Sequence, residues 1–241
     1  MIEKEKENRS GIYLLPNLLT TASLFSAFYS LVASFKGQYD TAVIAIFIGM
    51  VADALDGRIA RLTNTQTAFG AEYDSLSDLV TFGVAPALLL YSWGLHLLGK
   101  LGWLTAFTYT AAVALRLARF NTQVETADKA YFQGLACPAA AAIVCSFVWL
   151  CQQRAWAHWS VLAIATCFVV ISAVLMVSNV RYYSFKEIDV KGKVPFLHVL
   201  LIVLLFVAIA ADPSIILFIG FLLYALSGPV QAVMPGIFRR K

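Results

Sequence analysis

The sequence predicts an all-α integral membrane protein, a polytopic bundle of about eight transmembrane helices. Three observations carry this. Of 241 residues, 60% are hydrophobic and only 13% charged, with a mean hydropathy of +0.77. Apolar runs long enough to cross a bilayer recur along the whole length. The basic residues between those runs are unevenly shared between the two sides. This composition excludes disorder and disfavours a soluble globule.

The spans are expected at about 14–35, 41–62, 71–95, 101–120, 134–152, 157–179, 194–211 and 213–232. The first carries Pro16-Asn17-Leu18-Leu19-Thr20 near its start. The second opens with TAVIAIFIGMVA, apolar all round, and turns acidic near its end. Thr63, Asn64 and Thr65 suggest a polar turn before the third. Gly83 and Pro86 within the third allow a kink or a close helix contact. The last two are divided only by Asp212-Pro213, a turn signal, and a re-entrant hairpin would also be tolerable there.

With both termini cytoplasmic, only Lys36, Lys100 and Arg154 of the eighteen Lys and Arg fall outside, leaving fifteen within. The net charge of +4 then marks a cytoplasmic face meeting anionic membrane lipid, and no nucleic-acid partner is expected. The stretch from Arg181 to Lys193 suits such lipid anchoring. Trp93, Trp103, Trp156 and Trp159 fit an aromatic belt at the outer surface. Cys137, Cys145, Cys151 and Cys167 lack metal-type spacing and read as apolar filler. His96, His158 and His198 are scattered and unpaired. The N-terminus is too acidic for a signal peptide, and no repeat or linker is visible. A single membrane domain over 1–241 is expected, with a catalytic core at about 12–180 and additional helices at about 194–232.

Four acids stand where acids are costly: Asp53, Asp56, Asp74 and Asp78. Each carboxylate at the centre of a membrane helix costs about 2.5–3.5 kcal/mol on insertion scales. At 100° per residue, Asp53, Asp56, Gly57, Ala60 and Arg61 fall within about 140° and share one helix face. Asp74 and Asp78 are one turn apart on the following span. Counted from the connecting turn, Asp56 and Asp74 sit at similar depth, with Asp53 and Asp78 deeper. An antiparallel pair thus gathers four carboxylates about one point, where two divalent metals could be bridged. Arg58 and Arg61 are the only local cations, too few to balance these acids and Glu72.

Written out, the stretch is D-x2-D-G-x2-A-R-x8-G-x3-D-x3-D, ending at Asp78. It resembles the CDP-alcohol phosphatidyltransferase family at every motif position. PNLLT, FGAEYDSLSDLVTFGVAPA (69–87), RLARFNT (116–122) and FQGLACPAAA (132–141) are similar to its phosphatidylserine synthase branch. Ala136 departs from that pattern, standing where a GLPxP sequence has proline.

The resemblance implies transfer of the phosphatidyl group of CDP-diacylglycerol to L-serine, releasing CMP. It implies that Asp53, Asp56, Asp74 and Asp78 bind Mg2+ or Mn2+, two ions in all, and that Asp78 is the catalytic base. It implies that Gly57 and Arg61 contact the CDP group, with Thr67, Asn17 and Thr20 completing that pocket. Arg116, Arg119 and Asn121 are candidates for gripping the serine carboxylate, against the plainer role of snorkelling to the interface. A homodimer in the cell membrane, with its site on the cytoplasmic face, is implied as well. Direct attack and a covalent phosphatidyl-enzyme both remain open. The nearest alternative acceptor is glycerol 3-phosphate or an inositol phosphate. A different class, an ion or proton transporter, would also carry intramembrane acids, but spread along a path.

Overall fold

The computed structural model describes residues 2–63, 65–123, 131–156, 158–183 and 196–233. The turn residue Asn64 and the basic residues Lys129, Lys186, Lys191, Lys193, Arg239, Arg240 and Lys241 lie outside them. So do the side chains of Lys4, Lys6, Arg9, Arg181 and His198.

Helix α1 (Ile2–Phe35) packs along α2 (Tyr39–Leu62) for most of its apolar length. Small side chains let them approach: a Cβ on Gly49 would meet the Ser23 carbonyl at 3.4 Å and Thr81 Cγ2 at 3.1 Å. Next comes a continuous helical rod made of α3 (Ala68–Asp78), a π-helical turn (Leu79–Val84) and α4 (Ala85–Trp93). Thr67 caps α3 by accepting a hydrogen bond from the Gly70 amide at 3.0 Å. The expected irregularity near Gly83 is this π turn, which begins right after Asp78. Gly83 provides the close contact, since a Cβ there would come within 3.2 Å of Val113 on the next long helix. Pro86 falls in the first turn of α4, where its missing N–H is tolerated.

A 3-10 turn (Leu95–Leu98) leads into α5 (Lys100–Gln123), followed by β1 (Tyr131–Gln133), α6 (Cys137–Gln153), α7 (Trp159–Val177), β2 (Arg181–Tyr183), α8 (Phe196–Ala211) and α9 (Pro213–Val233). The two strands form an antiparallel ribbon with Phe132 opposite Tyr182, a small exception to the all-α expectation. At three residues each, they are too short to leave a period-2 pattern. Gly134 closes the ribbon with φ +75°, pressed so near α7 that a Cβ would sit 2.3 Å from the Met176 carbonyl oxygen. Only glycine fits there.

The core centres on α6, buried almost all round from Ala139 to Val148 and packed against α2, α4, α7 and α9. Phe147 gathers the rings of Trp93, Phe168 and Phe218 about it. Large apolar side chains such as Leu201, Phe206 and Leu223 face outward instead, as a hydrocarbon solvent requires. Among the described residues, five helical stretches are long and apolar enough to cross a membrane: Leu15–Phe35, Ala68–Trp93, Lys100–Thr122, Trp159–Val177 and Pro213–Ala232. α2 has the length but carries the acids, and the apolar parts of α6 and α8 are shorter.

At the end of the bundle away from the acids, Arg154 pairs with Asp212 at 3.2 Å. Asp212 also accepts from the Ser214 hydroxyl at 2.7 Å and the Ile215 amide at 3.2 Å, capping α9. The Ser214 hydroxyl, the Ile215 amide and the Arg154 charge hold the Asp212 carboxyl below the usual carboxylate range. Trp103, Trp156 and Trp159 are exposed, whereas Trp93 is buried and donates to Gln152 at 3.2 Å. The four cysteines are free, and all but Cys167 are buried.

Candidate active site

The acidic faces of α2 and α3 meet. Asp53, Asp56 and Asp74 each offer an oxygen, and these oxygens all lie within 4.8 Å of one another. Asp78 stands beside this trio with its carboxylate in hydrogen-bonding reach of Asp53. The helical register read from the sequence pairs the same two residues.

Helix α1 supplies the scaffold. The buried Thr20 hydroxyl lies 2.6 Å from Asp56 Oδ2 and donates to it, with the Pro16 carbonyl 3.1 Å away as a second acceptor. The contact to Pro16 is the back-bond a helical threonine makes to the carbonyl four residues earlier. Ser77 in turn donates to the Thr20 carbonyl at 3.2 Å, tying α3 to α1. Thr21 and Tyr73 hydroxyls meet at 2.9 Å, and the Tyr73 ring stacks on Phe69. Ser77 and Tyr73 were not legible as site residues, because their partners are more than fifty positions away.

The donor set fits hard divalent cations. Every available donor is a carboxylate oxygen. Asp74 Oδ1 and Asp78 Oδ1 are buried without a hydrogen-bond partner. Among the described residues the only ion pair is Arg154–Asp212, so no basic side chain neutralises these acids. Buried charges in such a state call for a cation.

Around the acids, the sequence candidates separate. The space beside Gly57 is open, with nothing within 4 Å of where a Cβ would stand. Arg61 is exposed on the same helix. Asn17 lies near the start of α3, its Oδ1 3.4 Å from a Cβ built on Gly70. Thr67 is exposed, its oxygen occupied by the Gly70 amide. Arg119 donates to the Val177 carbonyl at 3.0 Å and to Asn179 at 3.2 Å, closing the last turn of α7. Asn121 exchanges hydrogen bonds with Ser75, donating at 3.0 Å. Arg116 differs from both. Its Nη1 makes a long contact of 3.5 Å to Cys137 Sγ, and its Nε is buried without a partner. That contact seats this arginine against the first residue of α6. Cysteine spacing gave no hint of that placement.

The chain is similar to proteins of known activity. The CDP-alcohol phosphatidyltransferase family matches residues 13–171, which include all four acids and Arg116. The CDP-diacylglycerol–serine O-phosphatidyltransferase of Helicobacter pylori is 37% identical over 196 residues, 81% of this chain and 83% of that protein. The Bacillus subtilis enzyme of the same name is 34% identical over 72% of this chain and 92% of its own length. The archaetidylserine synthase of Methanothermobacter thermautotrophicus is 35% identical over 70% of this chain and 69% of its own. With its acidic cluster inside the matched segment, the chain belongs to the CDP-alcohol phosphatidyltransferase family.

Proposed function

We propose that this protein transfers the phosphatidyl group of CDP-diacylglycerol to the hydroxyl of L-serine, giving phosphatidylserine and CMP. The trio of carboxylates within 4.8 Å, unneutralised by any described basic residue, carries the reading. The names of the relatives support serine as the acceptor. Archaetidylserine synthase, named for the same headgroup, agrees with it.

Asp53, Asp56, Asp74 and Asp78 would hold the divalent metal, two ions of Mg2+ or Mn2+ in this account. Bound there, the metal supplies Lewis acidity at the pyrophosphate and charge relief for departing CMP. Thr20 fixes Asp56 by donating to it, and the α1 scaffold holds α3 in register. The open face at Gly57 leaves room for the CDP group, with Arg61, Asn17 and Thr67 around it. Asp78 takes the proton of the serine hydroxyl as that oxygen attacks phosphorus, or as it attacks a phosphatidyl-enzyme if the route is covalent. Arg116 brings unspent N–H donors to the serine carboxylate. Arg119 and Asn121 serve that subsite by fixing α5 to α7 and α3.

The wider arrangement follows the same proposal. Eight spans cross the cell membrane as one catalytic domain. The basic residues face anionic lipid at the cytoplasmic surface, both termini lie there, and two copies form a homodimer.

The test is acceptor choice. The purified protein in vesicles receives CDP-diacylglycerol and Mn2+ or Mg2+ with serine, glycerol 3-phosphate or an inositol phosphate. Serine should give CMP and labelled lipid in equal amounts, and Asp78→Asn should abolish both. CMP formed only with another alcohol would reassign the acceptor. Ion flux without CMP would replace the enzyme with a transporter.

A further inference from the structure

Arg116 and Arg119, which the proposed function assigns to the acceptor subsite, are both held by residues flanking the small ribbon. Arg119 donates to the Val177 carbonyl at 3.0 Å and to Asn179 Oδ1 at 3.2 Å, just ahead of β2. Arg116 rests on Cys137 Sγ, just past the end of β1. The two flanks are bonded to each other as well. The Gly134 amide donates to the Val180 carbonyl at 2.8 Å, and the Leu135 amide to the Leu175 carbonyl at 3.0 Å. The ribbon is thus a common support for both arginines. What anchors it is a break in α9. Pro229 has no N–H, so the Ala225 carbonyl, one turn earlier, loses its helical partner. Tyr182 of β2, fully buried, donates its hydroxyl to that carbonyl at 2.9 Å. Gly228 leaves room for the ring, since a Cβ there would come within 2.4 Å of it. Tyrosine, glycine and proline form one joint. Both of its sides, β2 and α9, follow the residues 13–171 that the family matches.

We propose that Tyr182 is a positioning residue for acceptor binding: fastened to the carbonyl that Pro229 frees, it holds the β1–β2 ribbon in place. The ribbon in turn sets where Arg116 stands and where Arg119 ties α5 to α7. Being fully buried, Tyr182 meets no substrate and acts through Val177, Asn179 and Cys137. A guanidinium grips a carboxylate well only in a forked geometry, so a loosened ribbon costs acceptor binding first. This rests on the proposed role of the two arginines in serine transfer.

The experiment compares wild type, Tyr182→Phe, Pro229→Ala and the double variant as full chains in vesicles containing CDP-diacylglycerol and Mn2+. CMP release is followed against serine concentration and, separately, against CDP-diacylglycerol. Tyr182→Phe should raise KM for serine about fivefold, the size of one neutral hydrogen bond. Its kcat and its KM for CDP-diacylglycerol should stay within about twofold of wild type. It should also melt lower, because the Ala225 carbonyl is left buried and unpaired. Pro229→Ala alone should keep KM for serine within about twofold, since a carbonyl accepts two hydrogen bonds. In the double variant the restored amide satisfies that carbonyl, so the melting temperature should recover. The raised KM for serine should persist there, because β2 stays unfastened. A second readout needs no turnover. Maleimide labelling of the folded protein, mapped by mass, should rise at Cys137 in Tyr182→Phe and stay unchanged at Cys145, about two turns further along α6. An unchanged KM for serine in Tyr182→Phe, or one that recovers with the melting temperature in the double variant, would overturn the proposal. So would a Cys137 that stays as protected as Cys145. A wild type active with serine and matched by Tyr182→Phe sinks this inference alone. A wild type inert toward serine sinks the functional reading and this inference with it.

Discussion

Replacing Asp74 by Asn should make the metal-free protein more stable and shrink the stabilisation that metal adds. Three carboxylates whose oxygens lie within 4.8 Å of one another repel pairwise. At that spacing and an effective dielectric constant of 20, each pair costs about 3.5 kcal/mol. Asp74 takes part in two of the three pairs, so Asp74→Asn removes up to about 7 kcal/mol of repulsion. Water at the open end of the site screens most of this. A residue of ~1–2 kcal/mol would raise the melting temperature in chelator by about 2–8 °C for a chain of this size. With Mn2+ at a hundred times its dissociation constant, wild type gains about 2.7 kcal/mol, or about 5–11 °C. The variant has lost a ligand and should gain less than half of that. The assay is built into the fold: Cys137, Cys145 and Cys151 are buried free thiols that react with a fluorogenic maleimide only on unfolding. Melting of Asp74→Asn below wild type in chelator, together with a full Mn2+ shift, would refute the reasoning.

Other consequences follow from single contacts. Thr20→Val keeps the shape but removes the 2.6 Å donor to Asp56, so half-maximal activity should need about 10–100 times more metal at unchanged KM for serine. Ala136, at φ −62° and ψ 137°, already has the backbone of proline, and no described backbone carbonyl takes its amide. Ala136→Pro should therefore stabilise by about 0.4–1 kcal/mol, seen as a rise of about 1–4 °C. Asp212 has a carboxyl held low by Ser214, Ile215 and Arg154, so its contribution is present above the unfolded carboxylate pKa and lost as pH falls through the folded one. Asp212→Asn should melt below wild type at pH 7, and the gap should narrow once the pH drops below about 4.

The acidic cluster was legible because helix periodicity alone puts Asp53 with Asp78 and Asp56 with Asp74 across an antiparallel turn. The helical segments were legible because apolar length is an unambiguous signal. The partners of Arg119 and Asn121 were not, since the Val177 carbonyl and Ser75 are reached only through packing. Trp93 looks like a belt residue by composition but is drawn inward by Gln152 and Phe147. Gly83 and Pro86 signalled an irregularity in the third span, but not its form, a π turn beginning right after Asp78. Tyr182 was not legible either, since the Ala225 carbonyl it meets lies 43 positions further along the chain.

The most direct measurement is an anomalous difference map from crystals of the protein grown with Mn2+. The account predicts manganese density bounded by Asp53, Asp56 and Asp74, with Asp78 at its edge, which vanishes when the crystals are soaked in chelator. Carboxylates turned apart with no anomalous density among them would contradict it.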